Sequence, residues 1–188
     1  MVNARIPPHS QDAEKSVLGA LLIDKDVVVE VVEILRPEMF YSEIHGLIFS
    51  AMLFLYENRA PIDAVTVADR LKQDKALTRV GGTAYLAELS GSAPTPANAA
   101  KYAQIIKEDY IKRQLISVSG ELSDLAFDES QSLMSMLDRA EQGVFALSQK
   151  NVKKSFIPIK EALADSFDRL DELLQEMQKK EKKNVRKK

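Results

Sequence analysis

A chain of 188 residues that is 45% hydrophobic has about the length of one domain and enough apolar side chain for a core. It contains no cysteine, which excludes disulfides, thiolate metal sites and a cysteine nucleophile. The net charge of −2 hides a split: KKEKKNVRKK at the end holds seven Lys/Arg and one Glu, leaving 19 basic and 27 acidic side chains over 1–178, unlike the basic footprint of a nucleic-acid module.

The opening MVNARIPPHSQDAEKSVLGALLID is broken by prolines and charges and does not have the plan of a signal peptide. No run reaches the roughly 18 apolar residues of a membrane span. A cytoplasmic protein with no membrane partner is expected.

Nearly every segment predicts helix. Ser10 is the expected N-cap of the first, with Asp12 and Glu14 in the first turn where the helix dipole favours acid, and Val17, Leu18, Leu21 and Leu22 form its apolar stripe. DVVVEVVEIL is rich in valine, but Asp26, Glu30 and Glu33 fall on one polar helical face, so it too predicts helix, with Asp26 able to cap and Pro37 beyond its end. SEIHGLIFSAMLFLYEN is apolar on most sides and predicts a buried central helix. Asp63 can cap a short helix through Leu71, and RVGG is a glycine turn into TAYLAELSG.

SAPTPAN is rich in Pro and Ser and reads as a boundary between packing units. A long helix follows, from about Ala97 to Phe127, in which Ile111, Leu115, Val118, Leu122 and Leu125 recur at 4, 3, 4, 3. After FDES, a second helix carries Leu133, Met136, Leu137, Ala140, Val144, Phe145 and Leu147. Two helices with so short a turn fold back as an antiparallel hairpin, whose outer apolar side calls for a second copy of the chain. Beyond NVKKSFIP, Ile159, Leu163, Phe167, Leu170, Leu174 and Met177 form one more amphipathic helix. The reading is all-α: a helical head over 1–96, a hairpin over 97–150, and a linker helix with a basic tail over 151–188.

The motifs offer little chemistry. There is no phosphate loop, no H-E-x-x-H and no G-x-S-x-G, so no catalytic, cofactor-binding or metal-ligating residue is assigned. Tyr41, Glu43 and His45, in MFYSEIHGLI, resemble a reactive cluster. With Ser42 as N-cap, however, His45 is the third helical residue, able to reach back to the cap as in a capping box and held neutral by the helix dipole. Tyr41 is then half-buried at the entry and Glu43 a favourable first-turn charge. DAEK, Glu30/Glu33 and Asp168/Asp171/Glu172 read as solvated helix faces.

The succession PPHSQDAEKSVLGALL, FYSEIHGLIFSAM, APIDAVTVADRL and VGGTAYLAELSGSAPTPANAAKYAQIIKE closely resembles the N-terminal domain of DnaB-type replicative DNA helicases, over roughly residues 5 to 150. FIPIKEALADSFDRLDELLQ resembles the start of that family's linker. The resemblance implies a collar domain of a hexameric helicase, assembled as a trimer of dimers, that binds the C-terminal domain of primase. It implies a dimer surface of Ile111, Leu115, Val118, Leu122 and Leu125 with Leu133, Leu137 and Phe145 opposite, unless these serve only to join the hairpin's two helices. Tyr85 becomes a candidate primase contact, with a core role as the alternative.

Ile159, Leu163, Phe167, Leu170 and Leu174 become a face that docks on a neighbouring motor domain, and Phe40, Tyr41 and His45 a structural motif. The ATP- and magnesium-binding motor of the family does not appear before Lys188, so the chain is expected to be a fragment without ATPase chemistry or cofactor of its own. Two other readings stand beside this one. A primase-type helicase-binding domain has a related helical fold, and the tail 179–188 could bind nucleic acid weakly and without specificity.

Overall fold

The first helix starts where Ser10 caps it: the Ser10 hydroxyl accepts the Ala13 N–H at 3.2 Å. In a computed structural model, residues 6–92, 95–128 and 130–151 are described, and they are all-α, with no strand among them. The chain divides into a unit over 1–147 and a second over 148–188 that lies almost wholly outside the described residues.

Seven helices make up the described part. They are α1 (Gln11–Ile23), α2 (Val27–Ile34), α3 (Glu43–Glu57), α4 (Ala64–Gln73), α5 (Gly82–Ser90), α6 (Ala99–Ala126) and α7 (Leu133–Asn151), with 3₁₀ turns at Pro37–Met39 and Pro96–Asn98. None is long and apolar enough to cross a membrane.

Helix α1 is the hub of the head and packs against α6, α5, α3 and α2. Its stripe Val17, Leu18, Leu21 and Leu22 is buried, as the spacing predicts, and so are Ala13, Glu14 and Ser16 around it. Helix α3 buries Ile48, Phe49, Met52 and Leu55, each worth about 1.5–3 kcal/mol of hydrophobic stabilisation. In α2 the valine-rich run is helical because Val28 and Val31 meet the core while Asp26, Glu30 and Glu33 remain exposed. Asp26 makes no side-chain cap; its N–H is instead taken by the Asp24 carboxylate at 2.9 Å. Arg36 closes the other end on the Val32 and Leu35 carbonyls, where the helix dipole favours a cation.

The Asp63 cap is complete. Its carboxylate accepts the Val65 and Thr66 N–H groups at 2.8 and 2.9 Å, and the Thr66 hydroxyl takes the Asp63 N–H in return. The glycine turn is also present: Gly81 and Gly82 have φ of 94° and 73°, the left-handed region that glycine enters without steric cost. Arg59 and Lys75 take the same conformation, both with φ of 56°. Each closes a helix with a six-residue return bond, Ala60 N–H to Leu55 C=O and Ala76 N–H to Leu71 C=O, of the kind that satisfies the last carbonyls.

Packing of the head does not stop at the Pro/Ser-rich break. Ala99, Ala103, Ile106 and Asp109 of α6 are buried, and α1 and α2 both lie against this helix. Past Asp109 no described residue is buried, so the rest of α6 and all of α7 extend beyond the head core. There the Val118 side chain faces Gly143, where an added Cβ would sit 3.5 Å from Val118 Cγ1.

Candidate functional site

Of the three residues that looked reactive in the sequence, only the His45 side chain lies in a buried polar chain, which runs from Glu14 to Tyr85. The Glu14 carboxylate, on the first turn of α1, points at the N-terminus of α3. Its Oε1 accepts the Tyr41 N–H at 2.6 Å and its Oε2 accepts the Ser42 N–H at 3.3 Å. His45 Nδ1 lies 2.6 Å from the same Oε2, and His45 Nε2 lies 2.7 Å from the Tyr85 hydroxyl on α5. Because a carboxylate can only accept, Nδ1 carries the ring proton. When that is the ring's one proton, the Tyr85 hydroxyl donates to Nε2. Burial raises the Tyr85 phenol above its ordinary value, Lys15 opposing, so Tyr85 stays an O–H.

Two expectations are corrected here. Glu14 is not on a solvated face but only 2% exposed, because α1 is enclosed almost all round. A helix entrance supplies unpaired N–H groups and a positive dipole end, which hold an anion well. His45 does not reach back to Ser42, whose side chain makes no cap bond. The Glu14 carboxylate takes the Ser42 N–H and binds the imidazole as well, since a charged acceptor outcompetes a serine hydroxyl.

The rest of the motif divides between core and surface. Phe40 is buried with its ring 5.1 Å from that of Phe49. Tyr41, expected to be half-buried, is 40% exposed and stacks on His9 with ring centres 4.2 Å apart. Arg113 of α6 ties this corner together, donating to the Pro8 and Met39 carbonyls at 2.8 and 2.6 Å. Glu43 pairs with Arg79 on the surface. Gly46, which carried no signal in the sequence, is where the 3₁₀ turn crosses α3: an added Cβ would lie 2.9 Å from the Pro37 carbonyl oxygen.

Such a chain ties α1, α3 and α5 together. The carboxylate is filled by three donors and the phenol is harder, not easier, to ionise. At its outer end it fixes the half-buried Tyr85 ring beside a surface pair, Lys15 Nζ to Glu88 Oε1 at 3.2 Å, with Lys15 5.9 Å from the ring centre. That hydrogen bond, first of all, raises the Lys15 pKa. Among the described residues no three His, Asp or Glu side chains gather as a metal site.

The hairpin residues fall into two sets. Val118, Leu122 and Leu125 are half-buried and line a cleft of about 390 Å³ with Arg139 and Gly143 of α7; Ile111 is half-buried nearer the head. Leu115, Leu133, Leu137 and Phe145 face outward, 51%, 71%, 57% and 60% exposed, with Ile116, Met134 and Val144 also exposed. The proposed linker face of Ile159, Leu163, Phe167, Leu170 and Leu174 lies outside the described residues.

The described residues thus form a strand-free helical head followed by a two-helix hairpin with an exposed apolar side. The family model described as the DnaB-like helicase N terminal domain matches residues 6–108, and the chain belongs to that family. It is 35% identical over 173 residues to the replicative DNA helicase DnaB of Geobacillus stearothermophilus and 32% over 173 residues to the replicative DNA helicase DnaC of Bacillus subtilis. Both matches take in 92% of this chain but 38% of the relative, so the chain spans little more than a third of their length. The crystal structure of the N-terminal domain of DnaB helicase from Mycobacterium tuberculosis superposes with a TM-score of 0.72 at 37% identity, covering 74% of this chain and 99% of that one. The N-terminal domain of DnaB helicase from Helicobacter pylori, described with its interactions with primase, gives a TM-score of 0.54 at 28% identity, over 62% of this chain and 90% of that one.

Proposed function

We propose that this chain is the assembly and recruitment collar of a replicative DNA helicase, pairing with a second copy through the outer side of its hairpin and receiving primase on the head. The observation that carries the reading is the bare apolar side of α6 and α7: Leu115, Leu133, Leu137 and Phe145 stand in water, on a projection that adds nothing to the head core. Exposed apolar surface of this extent marks a contact site. Val118, Leu122 and Leu125 serve the inner joint of the hairpin, with Leu115, Leu133, Leu137 and Phe145 left for the partner copy.

Tyr85 is the proposed primase contact, and the support is its position. Its ring is half-buried while its hydroxyl is engaged by His45, so a partner would meet the ring edge with Lys15 and Glu88 beside it. The relative from Helicobacter pylori lends its described interaction with primase to the same reading. In a full-length helicase the ring, the ATP- and magnesium-driven motor and the docked linker helix would complete the assembly. This part would contribute no ATPase chemistry of its own and only weak contact with DNA.

Light scattering on the purified chain, with titration against the primase C-terminal domain, tests the proposal. The expected result is a dimer at micromolar concentration that Leu137→Asp or Phe145→Asp converts to monomer. Tyr85→Ala should weaken primase binding about tenfold or more, the weight of a buried aromatic at an interface. Tyr85→Phe, which retains the ring, should bind nearly as wild type. A strict monomer that does not bind primase would sink the reading.

A further inference from the structure

The exposed side of α7 carries charge as well as apolar surface, and over Leu133–Ser148 its exposed carboxylates are Asp138 and Glu141. From Gln114 to Ser148 the sequence holds six carboxylates (Glu121, Asp124, Asp128, Glu129, Asp138 and Glu141) and a single cation, Arg139; Glu121, Asp124 and Asp128 line the cleft between the helices, which leaves Asp138 and Glu141 as the described carboxylates of α7 outside it. Arg139 lines the cleft between the helices, where it donates to Gln131 Oε1 at 3.2 Å. Asp138 and Glu141 are exposed on α7. Glu141 is four residues after Leu137 and four before Phe145, so it interrupts the apolar stripe on the same helical face.

Neither carboxylate has an ion-pair partner among the described residues. The two cations of α6 that immediately precede this stretch are already engaged: Lys112 pairs with Asp109 at 2.8 Å, and Arg113 is held on the Pro8 and Met39 carbonyls.

A two-fold interface sets a patch against its own copy, so a patch with net charge meets like charge. Resting on the assembly proposed above, we infer that the two hairpins associate against their own negative charge, and that their association tightens as ionic strength rises. At about 0.01 M salt the screening length is about 30 Å and carboxylates across the whole hairpin repel one another. At about 0.15 M it is about 8 Å and only the nearest do. The apolar stripe then acts with less opposition. Interfaces built on opposite charges behave in the reverse way.

Sedimentation equilibrium of the full chain, from about 20 to about 300 mM NaCl, tests this against the charge-removed variant Asp138→Asn/Glu141→Gln. The expected result is a dimer dissociation constant that falls about three- to tenfold over that range as the repulsion is screened. The double variant should be tighter at low salt and nearly independent of salt, which separates carboxylate repulsion from a general salt effect on apolar surface. A dimer with a flat response overturns the inference and leaves the assembly reading standing. A dimer that loosens with salt overturns it in favour of attraction by the basic segment 179–188. A chain that is monomeric at every salt concentration sinks the assembly reading and this inference with it.

Discussion

Glu14 Oε2 and His45 Nδ1 stand 2.6 Å apart, with both side chains 2% exposed, and they join helices that begin 32 positions apart in the chain. This contact closes the head at the entrance of α3. The same carboxylate also receives two backbone N–H groups, so removing it strips three donors of their acceptor at once.

Glu14→Ala should therefore be the most damaging single change in the head, costing about 3–5 kcal/mol, the usual result of breaking a buried pair from one side. His45→Ala should cost less, because the carboxylate still holds the Tyr41 and Ser42 N–H groups. About 1–3 kcal/mol is expected for each buried partner left unpaired. Urea unfolding followed by circular dichroism measures both. Equal losses, or none for Glu14→Ala, would mean that the carboxylate does not hold this entrance.

Gly46 and Gly120 both sit within helices and should respond oppositely to alanine. At Gly46 the new Cβ meets the Pro37 carbonyl oxygen at 2.9 Å, and since backbone cannot move aside as a side chain can, about 1–3 kcal/mol of overpacking is expected. At Gly120 nothing lies within 4 Å. There the better helix propensity of alanine should raise stability by about 0.8–1 kcal/mol. Melting curves of the two variants, run beside the wild type, decide whether the crossing at Gly46 is as close as described.

Asp63 should make α4 sensitive to acid. The backbone N–H of Thr66, first of all, holds its carboxyl below the ordinary value of an aspartate. A depressed folded value means that the stabilisation is fully present above the unfolded pKa and is lost as pH falls through the folded one. Asp63→Ala should cost about 1 kcal/mol at neutral pH, typical of a lost N-cap, and that difference should shrink as pH falls through the folded pKa. Asp63→Asn, an equally good cap that does not ionise, should show no such acid step. Parallel denaturation of the three proteins from neutral pH down into the acid range reads the effect.

The residues that the sequence placed correctly act over a turn or so of chain. Ser10 and Asp63 cap because a short acceptor precedes an apolar period by the right number of residues, and Gly81 and Gly82 turn because both adopt positive φ. The hairpin follows from two long apolar-periodic helices and too few residues between them to lead anywhere else. Family membership was legible for a related reason: four stretches in a fixed order carry more information than any one of them.

Apart from the Asp26 cap, lost to Asp24 two residues before it, what was misread depended on distant partners. Glu14 has the spacing of an ordinary first-turn acid, and nothing within α1 says that the entrance of α3 will cover it. His45 occupies a position from which a capping contact was reasonable, but the Glu14 carboxylate, a stronger acceptor 31 positions away, takes it instead. Gly46 matters only because the Pro37–Met39 turn crosses over it. Tyr41 is drawn to the surface by His9 and Arg113, neither of which is its neighbour in sequence.

The sequence by itself thus determined the helices, the caps at Ser10 and Asp63, the glycine turn and the family, since each rests on contacts or patterns that run along the chain. Only the tertiary structure decided that an acid, an imidazole and a phenol from three helices would form one buried chain. It also decided that the α6 start belongs to the head core and that half of the expected seam faces inward. The physical reason is that burial and polar pairing depend on what arrives from elsewhere in the fold, and a one-dimensional period carries no record of that.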